Sequence, residues 1–346
     1  MTLLYFILVL CVTICIHELG HFIFAKKSGI YVYEFSIGMG PRLFKFKRKN
    51  DETEYSIRLF PIGGYVNMAG EDLEQDKSIP QDRQMFSKPW HQRFLTIIAG
   101  VLFNFILAVI LLFIVGLNTG VSSNKNIISA VEVGSSSYTN GLKQGDLITK
   151  VNGVDVYNTD ELLLEMEVNM GDDITFEVVH ADKTKEEITV IPQKIETDGE
   201  ESYKYGFSLI NEKETGILPS IKYAFVKTGT LISQMAKIIL YLVTGKLKLS
   251  SLSGPVGIYT VVGDAASAGF INLVYLTAYL CINVGFINLI PFPAFDGGRA
   301  LFLIIEKIKG SRVNPRVENI IHSVGFILLL ILMVLITFTD ITKLIK

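Results

Sequence analysis

Residues 2–25 have the sequence TLLYFILVLCVTICIHELGHFIFA, an apolar segment that is interrupted by the cluster His17-Glu18-Leu19-Gly20-His21. About 20 apolar residues are enough for a helix to cross the hydrocarbon core of a bilayer. No Lys or Arg precedes the segment and no small-residue cleavage site ends it, which argues against a cleaved signal peptide. We therefore predict a first transmembrane helix over residues 3–25, with ionisable groups inside it.

Three further stretches of the chain are similarly apolar. Residues 94–124 and 265–295 each contain no Asp, Glu, Lys or Arg, and residues 319–339 contain His322 as their only titratable group. Hydrophobic residues make up 49% of the 346 positions and charged residues only 19%, less charge than soluble domains have. The sequence predicts an α-helical membrane protein with four transmembrane helices, at residues 3–25, 94–117, 271–290 and 320–338.

Charge is distributed unevenly between the connecting segments. Residues 26–49 contain seven Lys or Arg and one acid, residues 296–319 contain five Lys or Arg, and residues 118–220 contain eight Lys and nineteen acids. The positive-inside rule predicts that the first two segments are cytoplasmic and that the acidic segment is extracytoplasmic. The net charge of −2 argues against a nucleic-acid partner.

Residues 221–245 form a weaker apolar segment with two distinct faces. On a helical wheel the polar side chains fall within about 140° of one another, and the opposite side is apolar; the polar set is Lys222, Lys227, Thr230, Ser233, Gln234 and Lys237. This pattern favours a helix that lies in the membrane interface. A membrane-spanning helix is the alternative.

The polar cluster of the first helix has the H-E-x-x-H pattern of a zinc site. His17 and His21 lie one helical turn apart, so both imidazoles can reach one Zn²⁺, and Glu18 beside them can accept a proton from a water molecule. Ionisable groups inside a lipid-embedded helix are costly unless they face an interior site. The alternative is a helix that ends at Ile16, but the apolar run continues through Phe22–Ala25.

A catalytic zinc ion requires a third protein ligand, for which Asp296 is the candidate. Residues 288–298 have the sequence NLIPFPAFDGG, in which two prolines break the helix. Irregular backbone within a membrane is tolerated where it lines a cavity. Spacing alone leaves open whether Asp296 binds the metal or forms a turn at a helix end.

Residues 118–212 show strand and turn signals typical of an α+β domain. Strands are predicted at residues 129–133, 174–179 and 187–191, and a short helix at residues 159–169. The Asn152-Gly153 pair predicts a tight hairpin turn.

These motifs together resemble the site-2 protease family of intramembrane zinc metalloproteases, in its bacterial branch with one PDZ domain. The matching segments are HELGH, GLKQGDLI at residues 141–148, GPVGI at residues 254–258 and the motif at residues 288–298. The family's usual Leu-Asp-Gly is Phe295-Asp296-Gly297 here. The resemblance implies one Zn²⁺ per chain, bound by His17, His21 and Asp296, with Glu18 as the general base.

The resemblance also implies an organisation into segments, with an inserted extracytoplasmic PDZ domain. The predicted segments are transmembrane helix 1 (1–25), a membrane re-entrant β-hairpin element (26–92), helix 2 (93–117), the PDZ domain (118–212), an interfacial helix with the GPVGI segment (213–264), helix 3 with its motif (265–298), a cytoplasmic loop (299–319), and helix 4 with the tail (320–346).

Substrate-binding residues are implied in three places. In the β element, Gly63, Gly64 and Tyr65 would pair with an unwound substrate strand, although an ordinary cytoplasmic hairpin is the alternative. Asn288 would hydrogen-bond the substrate backbone. In the PDZ domain, Tyr205-Gly206-Phe207 would hold a peptide C-terminus, unless the domain only filters substrates by size.

The expected activity is hydrolysis of a peptide bond in a transmembrane segment, in the plasma membrane of a bacterium. Expected substrates are single-pass proteins such as anti-sigma factors and other membrane-anchored regulators, or signal-peptide remnants, cut toward the cytoplasmic side. The alternative is a catalytically inactive zinc-binding PDZ scaffold or transporter, which would not need Glu18.

Overall fold

The computed structural model describes residues 1–71, 76–197 and 200–345. Residues 72–75 of the predicted β element, residues 198–199 of the predicted PDZ domain and the last residue of the tail therefore lie outside the described residues. The chain forms two compact units: the first contains Met1–Val115 and Lys248–Lys346, and the second contains Gly116–Leu247. The described residues are mostly helical with several strands, as the sequence predicts.

The helices and strands are numbered separately in chain order within the described residues. The helices are α1 (Thr2–Lys27), α2 (Trp90–Thr119), α3 (Ser136–Thr139), α4 (Thr159–Val168), α5 (Ile217–Val243), α6 (Pro255–Ala268), α7 (Phe270–Leu289), α8 (Asp296–Lys309) and α9 (Pro315–Ile345). The strands are β1 (Val32–Lys47), β2 (Glu54–Met68), β3 (Val121–Ser122), β4 (Ile128–Val131), β5 (Leu147–Val151), β6 (Val154–Asp155), β7 (Ile174–Val179), β8 (Lys185–Val190), β9 (Gln193–Thr197), β10 (Glu200–Lys204), β11 (Phe207–Leu209) and β12 (Lys213–Glu214).

Five of the described helices are long and apolar enough to cross a membrane. They include α1, α2, α7 and most of α9, which correspond to the four predicted transmembrane helices, and also α5. The protein therefore has several candidate membrane spans, and length and composition alone do not separate α5 from the other four.

The first unit contains a sheet formed by the long strands β1 and β2. The strands pair antiparallel, with Val32 opposite Met68 and Lys47 opposite Glu54. Register shifts bring residues 34–37 beside residues 64–67 on one side and residues 54–57 on the other. Among the described residues, 64–68 pair only with β1, so they form an edge of this sheet.

The second unit has an antiparallel sheet with the order β6-β5-β7-β8. Alternate residues of β7 (Ile174, Phe176 and Val178) are fully buried, as expected for a strand with one face on a core. Asn152 and Gly153 both have positive φ between β5 and β6, which confirms the predicted hairpin turn. Separate pairs join β11 to β4 and β12 to β3.

The polar face of α5 contacts the acidic side of α4 within the second unit. The Lys227 ammonium lies 2.6 Å from Oδ1 of Asp160, and the amide of Gln234 donates to the Asp160 carbonyl. The Tyr241 hydroxyl donates to Glu165, whose side chain is almost fully buried. The polar face of α5 is therefore paired with protein side chains along part of its length.

One segment predicted as a loop, 299–319, is largely helical. Helix α8 begins at Asp296 and ends at Lys309, and Gly310 follows in a left-handed conformation. Lys307 and Lys309 lie in its last turn, where cations interact favourably with the helix dipole. Asp296 is thus the first residue of a separate helix, rather than the end of the third transmembrane helix as the sequence suggested.

Candidate metal centre

Two histidines of α1 point to the same place because they are four residues apart. The Nε2 atoms of His17 and His21 lie 3.2 Å from each other, and both side chains are buried. The rings meet edge to face, with centroids 4.8 Å apart. The helical spacing alone therefore produces two converging nitrogen ligands.

The carboxylate of Asp296 approaches the same two imidazole nitrogens. Oδ2 of Asp296 lies 3.0 Å from Nε2 of His17 and 3.2 Å from Nε2 of His21. Asp296 reaches this position because α8 starts there and packs closely against the preceding loop. A Cβ on Gly297 would lie 2.3 Å from the carbonyl oxygens of Leu289 and Ile290, so this approach requires glycine.

The hydrogen bonding of His21 and Asp296 suits a bound cation. Nδ1 of His21 lies 2.8 Å from the carbonyl oxygen of Thr96, so Nδ1 holds the proton and Nε2 presents a lone pair. Oδ2 of Asp296 is buried and receives no hydrogen bond from the described residues. Tetrahedral ligands at about 2.0–2.1 Å from zinc are about 3.3 Å apart, close to the observed separations. The three residues fit one Zn²⁺.

Helix α2 supports both histidines with one face. Thr96, Gly100 and Asn104 are spaced four residues apart, and the buried Asn104 amide lies 3.5 Å from Nδ1 of His17. A Cβ on Gly100 would lie 2.4 Å from Nε2 of His21. The absence of a side chain at this position therefore makes room for the two histidines.

Glu18 lies in a cavity of about 410 Å³ together with the three ligand candidates. Gly63, Gly64, Tyr65 and Asn288 also line this cavity. The distance from a Cβ built on Gly64 to Cγ of Glu18 is 3.4 Å, so the edge of the β1–β2 sheet lies directly beside the glutamate. Four of the seven predicted substrate-binding residues thus share a cavity with the metal centre.

The remaining three predicted substrate-binding residues belong to the second unit. The Tyr205 hydroxyl donates to the Asn169 carbonyl oxygen at the end of α4, and Phe207 begins β11. Gly206 has a φ of +76°, and a Cβ there would lie 2.3 Å from Cβ of Ser135. This tight turn before a short strand is compatible with the predicted peptide-binding loop.

Sequence reasoning missed several residues around the centre. Thr96, Gly100 and Asn104 lie in an apolar run, and their four-residue spacing was the available signal. Glu71 and Arg299 form an ion pair and both line the cavity. They are 228 positions apart, so nothing in the sequence indicates their pairing.

Comparison with known proteins identifies the family of the chain. The model of the family "Peptidase family M50" matches residues 5–332. The chain is 34% identical to the zinc metalloprotease RasP of Shouchella clausii, with 99% of both chains covered. It is 32% identical to the regulator of sigma-W protease RasP of Bacillus subtilis, also with 99% coverage of both chains. The chain belongs to peptidase family M50, which confirms the site-2 protease resemblance of its motifs.

Proposed function

We propose that this protein is an intramembrane zinc endopeptidase that hydrolyses a peptide bond in the transmembrane segment of a single-pass protein. The observation that supports this most strongly is the convergence of His17, His21 and Asp296 beside Glu18. Two imidazoles and one carboxylate leave a fourth zinc position open, which is the arrangement of catalytic zinc sites. Family membership and the names of the relatives support the same activity and the same metal.

His17, His21 and Asp296 would hold the metal, which when bound supplies Lewis-acid activation of the substrate carbonyl and of a water molecule. The Glu18 carboxylate takes a proton from the attacking water and later transfers it to the leaving amine. The second transfer completes the reaction, because an amide nitrogen leaves only after it has been protonated.

A transmembrane helix must unwind before its carbonyl groups can be attacked, because they are hydrogen-bonded within the helix. The sheet edge at Gly63, Gly64 and Tyr65 would pair with the unwound segment and hold it beside Glu18. Asn288, which lines the same cavity, would hydrogen-bond the substrate backbone. Its amide donates to the Val284 carbonyl oxygen, which leaves its side-chain oxygen as an acceptor.

Substrates would be membrane-anchored regulators such as anti-sigma factors, or signal-peptide remnants. One relative is named a regulator of sigma-W protease, which supports the first class. The strand order of residues 121–214 and the Tyr205–Phe207 loop support a PDZ domain that binds a peptide C-terminus or filters substrates by size.

For the membrane topology we propose four spans, α1, α2, α7 and α9, with α5 in the interface. The pairing of α5 polar groups with Asp160 and Glu165 supports an interfacial position, because charged groups would be costly within the hydrocarbon core. Charge asymmetry supports a PDZ domain outside the cell and a metal centre toward the cytoplasm.

Cysteine labelling tests this topology. A cysteine in place of the exposed Tyr157 should react with a membrane-impermeant thiol reagent that is added outside the cell. Reaction only from the cytoplasmic side would show that the orientation is the opposite one.

Substitution of Glu18 distinguishes a protease from a zinc-binding scaffold or transporter. Glu18→Gln should keep one zinc per chain and reduce cleavage of a membrane-embedded reporter by about 10²- to 10⁴-fold, the usual contribution of a general base. Glu167→Gln, on the exposed side of α4, is the matched control and should cleave normally. Undiminished cleavage by Glu18→Gln would contradict the proposed function.

A further inference from the structure

The backbone segment 290–295 connects α7 to α8 and determines where Asp296 begins. It turns sharply: the amide of Phe292 donates to the Ile290 carbonyl oxygen, and the amide of Phe295 donates to the Phe292 carbonyl oxygen. Between them, Ala294 has a φ of +84°, in the left-handed region that disfavours any residue with a Cβ. Such a conformation persists only where the surroundings hold it.

One side chain of α9 holds this strained residue. The Ala294 amide donates to Nδ1 of His322 over 3.1 Å. The His322 ring also packs against Phe302 of α8, with centroids 5.5 Å apart, which fixes its orientation. One turn further along α9, a Cβ on Gly325 would lie 2.4 Å from Cβ of Pro293, so the glycine lets the loop lie directly on the helix.

We propose that His322 is a positioning residue for the metal centre: its Nδ1 fixes the turn at Ala294 and thereby the place of Asp296, two residues later. The inference rests on the proposed role of Asp296 as a zinc ligand. The carboxylate must meet two imidazole nitrogens that α1 and α2 already fix, so a small shift at the start of α8 moves it away from them. Groups that orient metal ligands typically contribute 10- to 100-fold to metal affinity.

The two ring nitrogens of His322 make different contacts, which permits a sharp test. Nδ1 accepts the Ala294 hydrogen bond, whereas Nε2 is buried and has no hydrogen-bond partner among the described residues. The side-chain oxygen of asparagine can occupy the place of Nδ1. The amide of glutamine reaches the place of Nε2 instead. His322→Asn should therefore keep the contact with Ala294, and His322→Gln should lose it.

The experiment compares the full-length protein with His322→Asn, His322→Gln and the neighbouring control Ser323→Ala. Each protein is stripped of metal and titrated with zinc against a competing chelator, and the absorption spectrum of its Co²⁺ form is recorded. We expect His322→Gln to bind zinc about 10- to 100-fold more weakly and to show an altered Co²⁺ spectrum. His322→Asn and Ser323→Ala should bind zinc within a few-fold of the unaltered chain.

Two results would overturn the proposal. One is normal zinc affinity in His322→Gln, including the case in which the metal-free variant only unfolds at a lower temperature. The other is equal weakening of zinc binding in His322→Asn and His322→Gln. Asp296→Ala separates this inference from the proposed function. If Asp296→Ala still binds zinc normally, the ligand assignment itself fails; if it loses zinc while His322→Gln does not, only the role of His322 fails.

Discussion

Replacing Gly100 by alanine is expected to disable the metal centre without weakening α2. The added Cβ would lie 2.4 Å from Nε2 of His21 and 2.8 Å from Cε1 of His17, whereas ordinary contacts begin near 3.4 Å. One of the imidazoles or the helix must therefore move by about 1 Å. Zinc ligands tolerate deviations of only about 0.2 Å, and a misplacement of about 1 Å at a reacting centre can cost about 10²-fold in rate.

The matched control is Gly229→Ala in α5. Gly229 is also helical, but a Cβ there would meet no atom within 4 Å. Alanine stabilises a helix interior by about 0.8–1.0 kcal/mol relative to glycine, so helix propensity favours both variants. Any loss specific to Gly100→Ala must come from the crowding of the histidines.

The assay measures zinc per purified chain, zinc affinity by chelator competition, and cleavage of a membrane-embedded reporter. We expect Gly100→Ala to lose about 10²-fold or more in cleavage and to bind zinc more weakly, and Gly229→Ala to match the unaltered chain. Normal zinc affinity together with normal cleavage in Gly100→Ala would refute the reasoning, because it would show that the histidines do not need this space.

Two further predictions concern the second unit. The hydrogen bonds of His180, chiefly the one to Asp146, raise the pKa of its imidazole. The stabilisation by the protonated imidazole is therefore complete below the ordinary pKa of histidine and is lost as the pH rises through the raised pKa. Amide hydrogen exchange of β7 and β8 in the full chain, corrected for intrinsic rates, should therefore become faster over that pH range. His180→Asn should abolish this pH dependence. The same pH dependence in the variant would contradict the assignment to His180. Tyr241→Phe removes a hydrogen bond to the buried Glu165 and should destabilise the contact between α4 and α5 by about 1–3 kcal/mol. The measured quantity is the rate of proteolysis between these two helices, which should rise in Tyr241→Phe. Tyr157→Phe, on the surface, is the control. Equal proteolysis rates in the two variants would contradict the prediction.

The main elements were predictable because their signals are local. The four long apolar segments, the i and i+4 spacing of His17 and His21, and the Asn152-Gly153 turn each reflect a rule that acts over a few residues. Assigning Asp296 to the metal was different, since spacing alone left it open. The family resemblance supplied that expectation, and the structure shows that its carboxylate lies beside both imidazoles.

What sequence reasoning missed depends on contacts between distant segments. Gly100 is one of 29 glycines, and only the packing of α2 against α1 shows why it has no side chain. The sequence predicts a loop for most of α8, from residue 299 onward, because its amphipathic pattern is short and follows two prolines. The position of α5 stayed open between the membrane interface and a membrane span, because its length and composition suit both. Its contacts with Asp160 and Glu165 of α4 join residues far apart in the sequence.

The most direct test of the central claim is the position of the bond that the purified protein cleaves. The protein is reconstituted in lipid vesicles with a single-pass substrate, and the fragments are identified by mass spectrometry with zinc present and after its removal. We predict one zinc-dependent cut within the transmembrane segment, absent in Glu18→Gln. A cut outside the membrane segment, or the same cut without zinc or without Glu18, would contradict an intramembrane zinc protease.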